Sequence, residues 1–242
     1  MINKSADEHN AITEGIEIML SGVRGIPEHL SLGAQLAEGI ASRIKKPVER
    51  ITLCALGGSA FPGDLIRVIT NALSVPLQVS RSYEVHHAHL THNDLVIASS
   101  FSGNTEESLS SLDDAIRRGA QVMVICAGGR LEALAKQENL PMIKLTKPTP
   151  TFQPRAASGF FIGALGGLFE DLGLFEGARA RFARVGEELK QLMDVKDEAR
   201  IVAEKLHGTI PVFYAPPPYA ESLARVVKIK INENAKSPAF WN

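Results

Sequence analysis

The stretch "DLVIASSFSGNT" (94–105) decides the fold, because a strand pattern in it runs directly into a glycine turn and a helix start. Residues 95–98 are apolar without interruption, which is typical of a strand buried on both faces of a parallel sheet. Thr105 then stands where a helix N-cap is expected. A strand that enters a helix through a tight loop is the repeating unit of parallel α/β sheets.

The same alternation of strand and helix patterns extends over residues 50–145. Apolar runs of strand length lie at 50–56, 76–80, 94–100, 121–127 and 141–145. Helical patterns lie between them at 64–73, 105–118 and 130–137. The alternation predicts an α/β fold, a three-layer α/β/α sandwich around a parallel sheet of about five strands.

Helical patterns flank this α/β unit on both sides. Residues 8–45 have a helical pattern with a break at Gly25–Pro27, and residues 156–206 are mainly helical in pattern. A late strand at 209–215 and a helix at 219–230 have the pattern of a second α/β unit. The predicted organisation is an N-terminal helical segment (1–50), a first α/β domain (51–150), a helical connector (151–208) and the start of a second domain (209–242).

The composition argues against several functional classes. The 242 residues carry a formal net charge of −1, unlike the broad basic surface of a nucleic-acid-binding protein. The N-terminus has no signal-peptide pattern, and no stretch approaches the roughly 18 apolar residues of a membrane span. Cys54 and Cys126 lie inside strand patterns, which predicts buried free thiols. We expect a reduced, cytoplasmic protein that binds neither nucleic acid nor membranes.

The loop after the third predicted strand has the residues of an anion site. Gly103 allows a sharp turn, while Ser100, Ser102 and Thr105 add hydroxyl donors to the free N–H groups of the next helix. Such a cradle holds a phosphate without a lysine. The alternative is an ordinary turn and cap, which the same residue types also favour.

A second glycine- and serine-containing loop, "LGGSA" (56–60), follows the first predicted strand. Gly57 and Gly58 allow a ligand to approach the backbone closely, and Ser59 offers another hydroxyl. Neither the dinucleotide pattern G-x-G-x-x-G nor the Gly-Lys-Ser/Thr of an ATP-type loop is present. The two loops are therefore predicted to converge on one phosphorylated ligand of another kind.

Three other features have ordinary structural explanations. The histidines at 86, 87, 89 and 92 match no zinc spacing, so a polar connection is favoured over a metal site. A helix face explains Lys228, Lys230 and Lys236 better than nucleic-acid binding does. The prolines of "APPPY" (215–219) fit a turn between strand and helix better than a polyproline ligand.

The chain resembles the sugar isomerase (SIS) domain superfamily, whose phosphosugar loop has the pattern Ser-x-Ser-Gly-x-Thr, here residues 100–105. More narrowly, it resembles the bifunctional phosphoglucose/phosphomannose isomerases. Four blocks carry the resemblance, in an order and spacing that run across nearly the whole chain. They are "LGGSAFPGDL" (56–65), "SSFSGNTEES" (99–108), "QPRAA" (153–157) and "NENAKSPAF" (232–240).

The resemblance implies an aldose–ketose isomerase that interconverts glucose 6-phosphate and mannose 6-phosphate with fructose 6-phosphate through a cis-enediol. It implies that Glu233 is the base and that Arg155 stabilises the enediolate. It implies no metal or other cofactor, and a homodimer. The residues implied to hold the phosphate are Ser59, Ser100, Ser102 and Thr105, with backbone from Gly57, Gly58, Gly103 and Asn104.

The chain departs from the family pattern at its end. The family continues past "PAF" with a Pro-Glu-x-x-His-Asn-Glu stretch, whose histidine helps to open the sugar ring, and then with a C-terminal helix. We therefore expect a C-terminally truncated chain with an incomplete second SIS domain and doubtful activity. Two alternatives remain open: a non-catalytic, regulatory phosphosugar-binding module, and an SIS domain that acts on amino sugars or on another sugar phosphate, which "NENAKSPAF" disfavours.

Overall fold

A computed structural model describes residues 6–69, 73–217 and 219–242. Its main sheet has five parallel strands in the order β2-β1-β3-β4-β5. The strands are β1 (Arg50–Cys54), β2 (Leu77–Ser80), β3 (Asp94–Ser100), β4 (Gln121–Cys126) and β5 (Met142–Lys144). The predicted α/β class with its five-stranded parallel sheet is confirmed.

Helices surround the sheet and form a bundle beside it. The first five are α1 (Ala6–Arg24), α2 (Ile26–Leu36), α3 (Gly57–Ile69), α4 (Glu106–Arg117) and α5 (Gly129–Gln137). The remaining long helices are α6 (Ser158–Asp171), α7 (Ala178–Leu192) and α8 (Lys196–Leu206). Short 3-10 turns occupy Ile40–Arg43 and Pro154–Ala156.

Alternating side chains of each strand enter different hydrophobic clusters. In β3, Leu95 and Ile97 pack with residues of α2, α3 and α6, whereas Ala98 packs with residues of α4 and α5. Val96 enters a third cluster that also contains Ala115 of α4. Because both faces are covered, the whole strand is buried, as its unbroken apolar pattern predicts.

The flanking helices share the core of the sheet. Helices α2 and α6 approach so closely that a Cβ on Gly163 would lie 2.1 Å from the carbonyl oxygen of Leu30. A Cβ on Gly33 would lie 2.3 Å from the carbonyl oxygen of Phe160. Glycine at these two positions lets the backbones touch, so the N-terminal helices and the helices after the sheet form one packed layer.

The boundaries of two predicted helical regions are wrong. Helix α3 begins at Gly57, seven residues before the predicted start at 64, and residues 70–72 of that prediction lie outside the described residues. Burial of Ala60 and Phe61 against the sheet outweighs the low helix propensity of the glycines and Pro62. The first helical region ends as α-helix at Leu36 rather than at 45, because Gly39 adopts a left-handed conformation with φ of 78°.

The C-terminal region contains a second, two-stranded sheet. The predicted strand at 209–215 shortens to β6 (Val212–Phe213), which pairs in parallel with β7 (Phe240–Trp241). Between them a helical stretch runs over 220–235, consisting of α9 (Arg225–Lys230) between two π-helical turns. Strand, helix and parallel strand together make one βαβ step.

Over residues 6–69, 73–217 and 219–242, the helices are too short or too polar to cross a membrane.

Candidate active site

The strand order brings the two predicted loops together. Strands β1 and β3 are neighbours, yet α3, which follows β1, and α4, which follows β3, lie on opposite faces of the sheet. The loops after the two strands therefore separate and leave a crevice at the carboxyl edge. Ligands of open parallel sheets bind in such a crevice, and both hydroxyl-bearing loops border it.

Three hydroxyl groups of the β3 loop converge on one point. The Ser100 Oγ lies 2.8 Å from Thr105 Oγ1 and 3.3 Å from Ser102 Oγ. The same Ser100 oxygen accepts a hydrogen bond of 3.1 Å from the Gly103 N–H, and Ser102 Oγ accepts one of 3.2 Å from the Asn104 N–H. The loop thus gathers hydroxyl groups around a backbone turn, an arrangement suited to the oxygens of a phosphate.

Ser59 links the other loop to this cluster. Its Oγ accepts a hydrogen bond of 3.2 Å from the Phe101 N–H. Gly57 and Gly58 precede it at the start of α3, and a Cβ at either position would meet no atom within 4 Å. The space beside these glycines is therefore open to a ligand.

The N-terminus of α4 is free of a side-chain cap. Thr105 occupies the N-cap position in an extended conformation, but its hydroxyl faces Ser100 and caps no N–H group. The first N–H groups of the helix therefore retain their partial positive charge for an anion. The charge of Glu107, in the first turn, raises the pKa of the exposed Tyr83 phenol. Glu107 therefore lies near Tyr83.

The hydroxyl loop is held from behind by a second glycine turn. Gly103 has φ of 70°, and a Cβ there would lie 1.8 Å from the carbonyl oxygen of Gly128. The Leu131 N–H donates to the Gly103 carbonyl over 2.9 Å, and the Arg130 N–H donates to Asn104 Oδ1 over 3.0 Å. The Asn104 side chain therefore fixes the loop to α5 and is engaged in structure.

Arg155 and Glu233, far apart in the chain, also meet. Arg155 lies in the 3-10 turn before α6, and its Nη1 donates to the main-chain carbonyl of Glu233 over 3.0 Å. The same nitrogen lies 3.4 Å from Asn234 Oδ1. Among the described residues, the buried Glu233 Oε2 has no hydrogen-bond partner. A buried carboxylate oxygen without a donor is available to take a proton from a ligand.

Lys230, predicted as one of three lysines on a helix face, belongs to this group. It lies on α9 as expected but is only partly exposed, and its Nζ donates to the Arg155 carbonyl over 2.7 Å. Burial lowers the pKa of its ammonium below the ordinary lysine value. The available signal was its position three residues before Glu233, which places both side chains on one helix face.

Helix α3 lies between the two groups. Ser59 in its first turn contacts the hydroxyl loop, and the ring centroid of Phe61 lies 5.7 Å from Lys230 Nζ. On the loop side, the Phe101 ring is 5.7 Å from that of Phe152, just before Arg155. A cavity of about 670 Å³ borders the second group and is lined in part by Phe61, Arg155 and Lys230.

The other candidates have structural roles. The histidines lie on the connection between β2 and β3, and the described residues contain no group of three or more His, Cys, Asp or Glu that could hold a metal ion. The imidazole of His87 pairs with Arg50 over 3.2 Å at the opposite edge of the sheet. Cys54 and Cys126 are free and buried, as expected, and burial raises the pKa of the Cys54 thiol to about 12.

Two protein families match the chain. Residues 45–156 match the SIS domain, and residues 195–242 match the bacterial phospho-glucose isomerase C-terminal SIS domain. The first match contains the sheet and both hydroxyl-bearing loops, and the second contains Lys230 and Glu233.

Curated relatives agree with these matches. A bifunctional phosphoglucose/phosphomannose isomerase of Caldicellulosiruptor bescii is 33% identical over 93% of this chain and 68% of its own length. A protein of the same description from Aquifex aeolicus is 33% identical over 81% of this chain and 58% of its own length. The chain therefore spans about two thirds of the first relative and less of the second.

The fold is also that of a tagatose-6-phosphate ketose/aldose isomerase from Escherichia coli. That crystal structure gives a TM-score of 0.68 at 18% identity, over 91% of this chain and 65% of the other. At this identity the likeness concerns the fold alone. On the identity and coverage of the Caldicellulosiruptor relative, the chain belongs to the bifunctional phosphoglucose/phosphomannose isomerase family of SIS-domain proteins.

Proposed function

We propose that this chain carries the phosphosugar site of an aldose–ketose isomerase that interconverts glucose 6-phosphate and mannose 6-phosphate with fructose 6-phosphate. The observation that carries the proposal is the buried, unpartnered Oε2 of Glu233 on a residue whose main chain is bound by Arg155. A positioned carboxylate beside a permanently charged guanidinium is the pair that proton abstraction next to a carbonyl requires. The names and identities of the relatives support the same reaction.

The hydroxyl cluster supplies the anchor for this reaction. Ser59, Ser100, Ser102 and Thr105 hold the 6-phosphate together with the free N–H groups at the start of α4. The backbone of the two glycine-containing loops approaches the phosphate from the open side. Anchoring one end of the open-chain sugar reduces the motion of C1 and C2 beside the base.

The proton transfer then follows in two steps. The Glu233 carboxylate takes the C2 proton of the aldose, the C2–H electron pair forms the C1–C2 double bond, and the C1–O1 π pair moves onto O1, which gives the cis-enediol as its enediolate. The proton of the O2 hydroxyl then passes to O1, the C2–O2 double bond forms, and the C1–C2 π pair takes the proton of the Glu233 carboxylic acid at C1, which gives fructose 6-phosphate. Arg155 stabilises the negative charge on the enediolate oxygens.

The planar enediol also explains two aldose substrates. Glucose 6-phosphate and mannose 6-phosphate differ only in configuration at C2, which is lost when C2 becomes part of a double bond. A site that delivers and removes the C2 proton on either face of the same intermediate therefore links both aldoses to one ketose.

The central test is the substitution Glu233→Gln, which keeps the shape of the side chain and removes the base. We expect turnover of fructose 6-phosphate, followed with a coupled glucose-6-phosphate dehydrogenase assay, to fall by at least about 100-fold. Binding measured by calorimetry should change little. The matched control is Glu221→Gln, an exposed carboxylate of the same helical stretch whose ion pair with Arg67 is worth little.

The outcomes separate the proposal from its alternatives. Near-normal turnover in Glu233→Gln would refute the assigned role of the carboxylate. Sugar-phosphate binding without turnover in the unsubstituted chain would favour the non-catalytic binding module. Turnover of a different sugar phosphate would assign the site to another substrate.

The organisation of the whole protein follows from the same proposal. Residues 209–242 belong to a second SIS unit, which the βαβ step of β6, α9 and β7 and the family match over 195–242 support. Residues 1–50 and 151–208 are the helical segments around the first SIS domain at 51–150. The protein acts as a cytoplasmic homodimer without a metal.

A further inference from the structure

The Arg155 turn and the helical stretch that carries Glu233 are joined by a reciprocal pair of hydrogen bonds. Lys230 Nζ donates to the main-chain carbonyl of Arg155 over 2.7 Å. The Arg155 guanidinium donates in return to the main-chain carbonyl of Glu233 over 3.0 Å. Each of these side chains therefore holds the backbone of the opposite segment, and both bonds are strengthened by a cationic donor.

Asn234 reinforces the helical side of this contact. Its Nδ2 donates to the Lys230 carbonyl over 2.9 Å, and its Oδ1 lies 3.4 Å from Arg155 Nη1. The side chain therefore connects the main chain of Lys230 with the Arg155 guanidinium at the place where α9 passes into the π-helical turn that contains Glu233. Two segments 75 residues apart are fixed to each other within this small group.

We infer that Lys230 is a positioning residue of the isomerase reaction, which holds Arg155 and Glu233 in register through its bond to the Arg155 carbonyl. The inference rests on the proposed function, because the register matters only if these two side chains act on one substrate. Lys230 acts by fixing the positions of Arg155 and Glu233 and needs no contact with the sugar. A displacement of about 1 Å between acting groups lowers a rate by about 100-fold.

The surroundings of Lys230 place its charge between two other charged groups. Glu233 attracts the ammonium and Arg155 repels it, while burial lowers its pKa below the usual range. Phe61 of α3 lies 5.7 Å from Lys230 Nζ, and apart from Arg155 the cavity that Lys230 borders is lined by apolar or neutral residues, among them Met19, Val23, Ser158 and Ile162. The charged residues of α3 further along have other partners: Asp64 pairs with Arg81 and lies 3.9 Å from Arg225, and Arg67 pairs with Glu221.

Three variants test the inference on the chain as it stands. Lys230→Met removes the bond and the charge, and Lys230→Arg keeps a cationic donor that does not titrate. Lys228→Met is the matched control, since within the described parts of the chain its ammonium has no hydrogen bond or ion pair. We expect Lys230→Met to lower kcat by about 10- to 100-fold with KM changed less than about threefold, because anchoring of the phosphate is untouched.

The pH dependence of turnover in Lys230→Arg distinguishes a positioning role of the charged ammonium from a purely structural role of the lysine. If Lys230 acts through its charged donor, turnover of the unsubstituted chain falls at high pH as the ammonium loses its proton. In Lys230→Arg this alkaline limb should move to higher pH, with kcat at neutral pH within about fivefold of the starting value. An alkaline limb that stays in place, or equal kcat in Lys230→Met and Lys228→Met, would overturn the inference.

Hydrogen exchange tests the contact independently of turnover. The Ala156 and Ala157 N–H groups are bonded within the Arg155 turn, to the carbonyls of Gln153 and Pro154 over 2.9 and 3.1 Å. Their exchange should accelerate by about tenfold in Lys230→Met and recover in Lys230→Arg, while Lys228→Met stays at the starting rate. Equal exchange rates in Lys230→Met and Lys228→Met would overturn the inference even if the chain is an isomerase. If the unsubstituted chain shows no turnover, that result counts only against the proposed function.

Discussion

The two halves of the candidate site are held in place by different means. The hydroxyl loop is fixed by main chain: it leaves a buried strand, turns at Gly103 and rests against the carbonyl of Gly128. Arg155 and Glu233 are fixed mainly by side chains, through bonds from Arg155 and Lys230 that span 75 to 78 residues of sequence. Backbone contacts of neighbouring loops make the first half rigid, whereas single side-chain bonds make the second half adjustable and sensitive to single substitutions.

The largest expected effect comes from Gly103→Ala, which attacks the rigid half. The new Cβ meets the Gly128 carbonyl oxygen at 1.8 Å, in a backbone conformation with φ of 70°. The left-handed conformation costs about 1–2 kcal/mol and the forced shift about 1–3 kcal/mol more. Chemical denaturation should show the loss of stability, and calorimetry should show loss of inorganic phosphate binding.

The control for this substitution is Gly119→Ala. Gly119 has a similar φ of 78°, but a Cβ there meets no atom within 4 Å. It should therefore lose only the conformational part, about 1–2 kcal/mol, and keep its phosphate affinity. Equal losses in both variants would show that the Gly128 contact does not hold the hydroxyl loop.

A smaller effect is expected from Ser100→Ala, which removes the central hydroxyl of the loop. The Ser100 Oγ contacts Thr105 and Ser102 and accepts the Gly103 N–H, so its loss should weaken fructose 6-phosphate binding about tenfold. The neighbouring Ser99→Ala is the control, because the buried Ser99 Oγ has no hydrogen-bond partner within the described ranges. Calorimetry on both variants checks the contrast, and a comparable loss in Ser99→Ala would contradict it.

The smallest effect concerns the pH dependence of stability in the adjustable half. Burial lowers the pKa of Lys230 in the folded chain, so between that value and the ordinary lysine value of about 10.4 the unfolded chain binds more protons. The free energy of unfolding should therefore gain a small increment as pH rises through this window. Lys230→Met should lack the increment, and Lys228→Met should retain it. Urea unfolding of both variants at several pH values below 11 tests this prediction. If the free energy of unfolding changes with pH in the same way in both variants, the prediction is wrong.

Much of the rigid half could be predicted because its determinants are local in sequence. The strand at 94–100 was predicted with its observed bounds, and α4 within one residue at each end, because apolar periodicity and turn residues act over a few positions. The place of Ser59 beside this loop followed from the rule for parallel sheets. The start of α3 was missed because burial of Phe61 overrides the helix-breaking residues around it.

The adjustable half could be predicted only through the family resemblance. Nothing local marks Arg155 or Glu233, since an arginine at a helix start and a glutamate near a helix end are usually exposed. The partial burial of Lys230 could not be predicted for the same reason: its neighbours on the chain alternate between charged and apolar residues, and burial depends on α3 and the Arg155 turn.

The sequence by itself determined the class of the fold, the succession of strands and helices around the sheet, and the hydroxyl-rich loops that follow β1 and β3. These depend on hydrophobic period, turn residues and glycine, which act between neighbours in the chain. Only the tertiary structure decided that Thr105 turns to Ser100 instead of capping its helix, and that Lys230, Arg155 and Glu233 hold one another. Those contacts form between segments that meet only after the sheet and the helical layer have packed, so no local pattern encodes them.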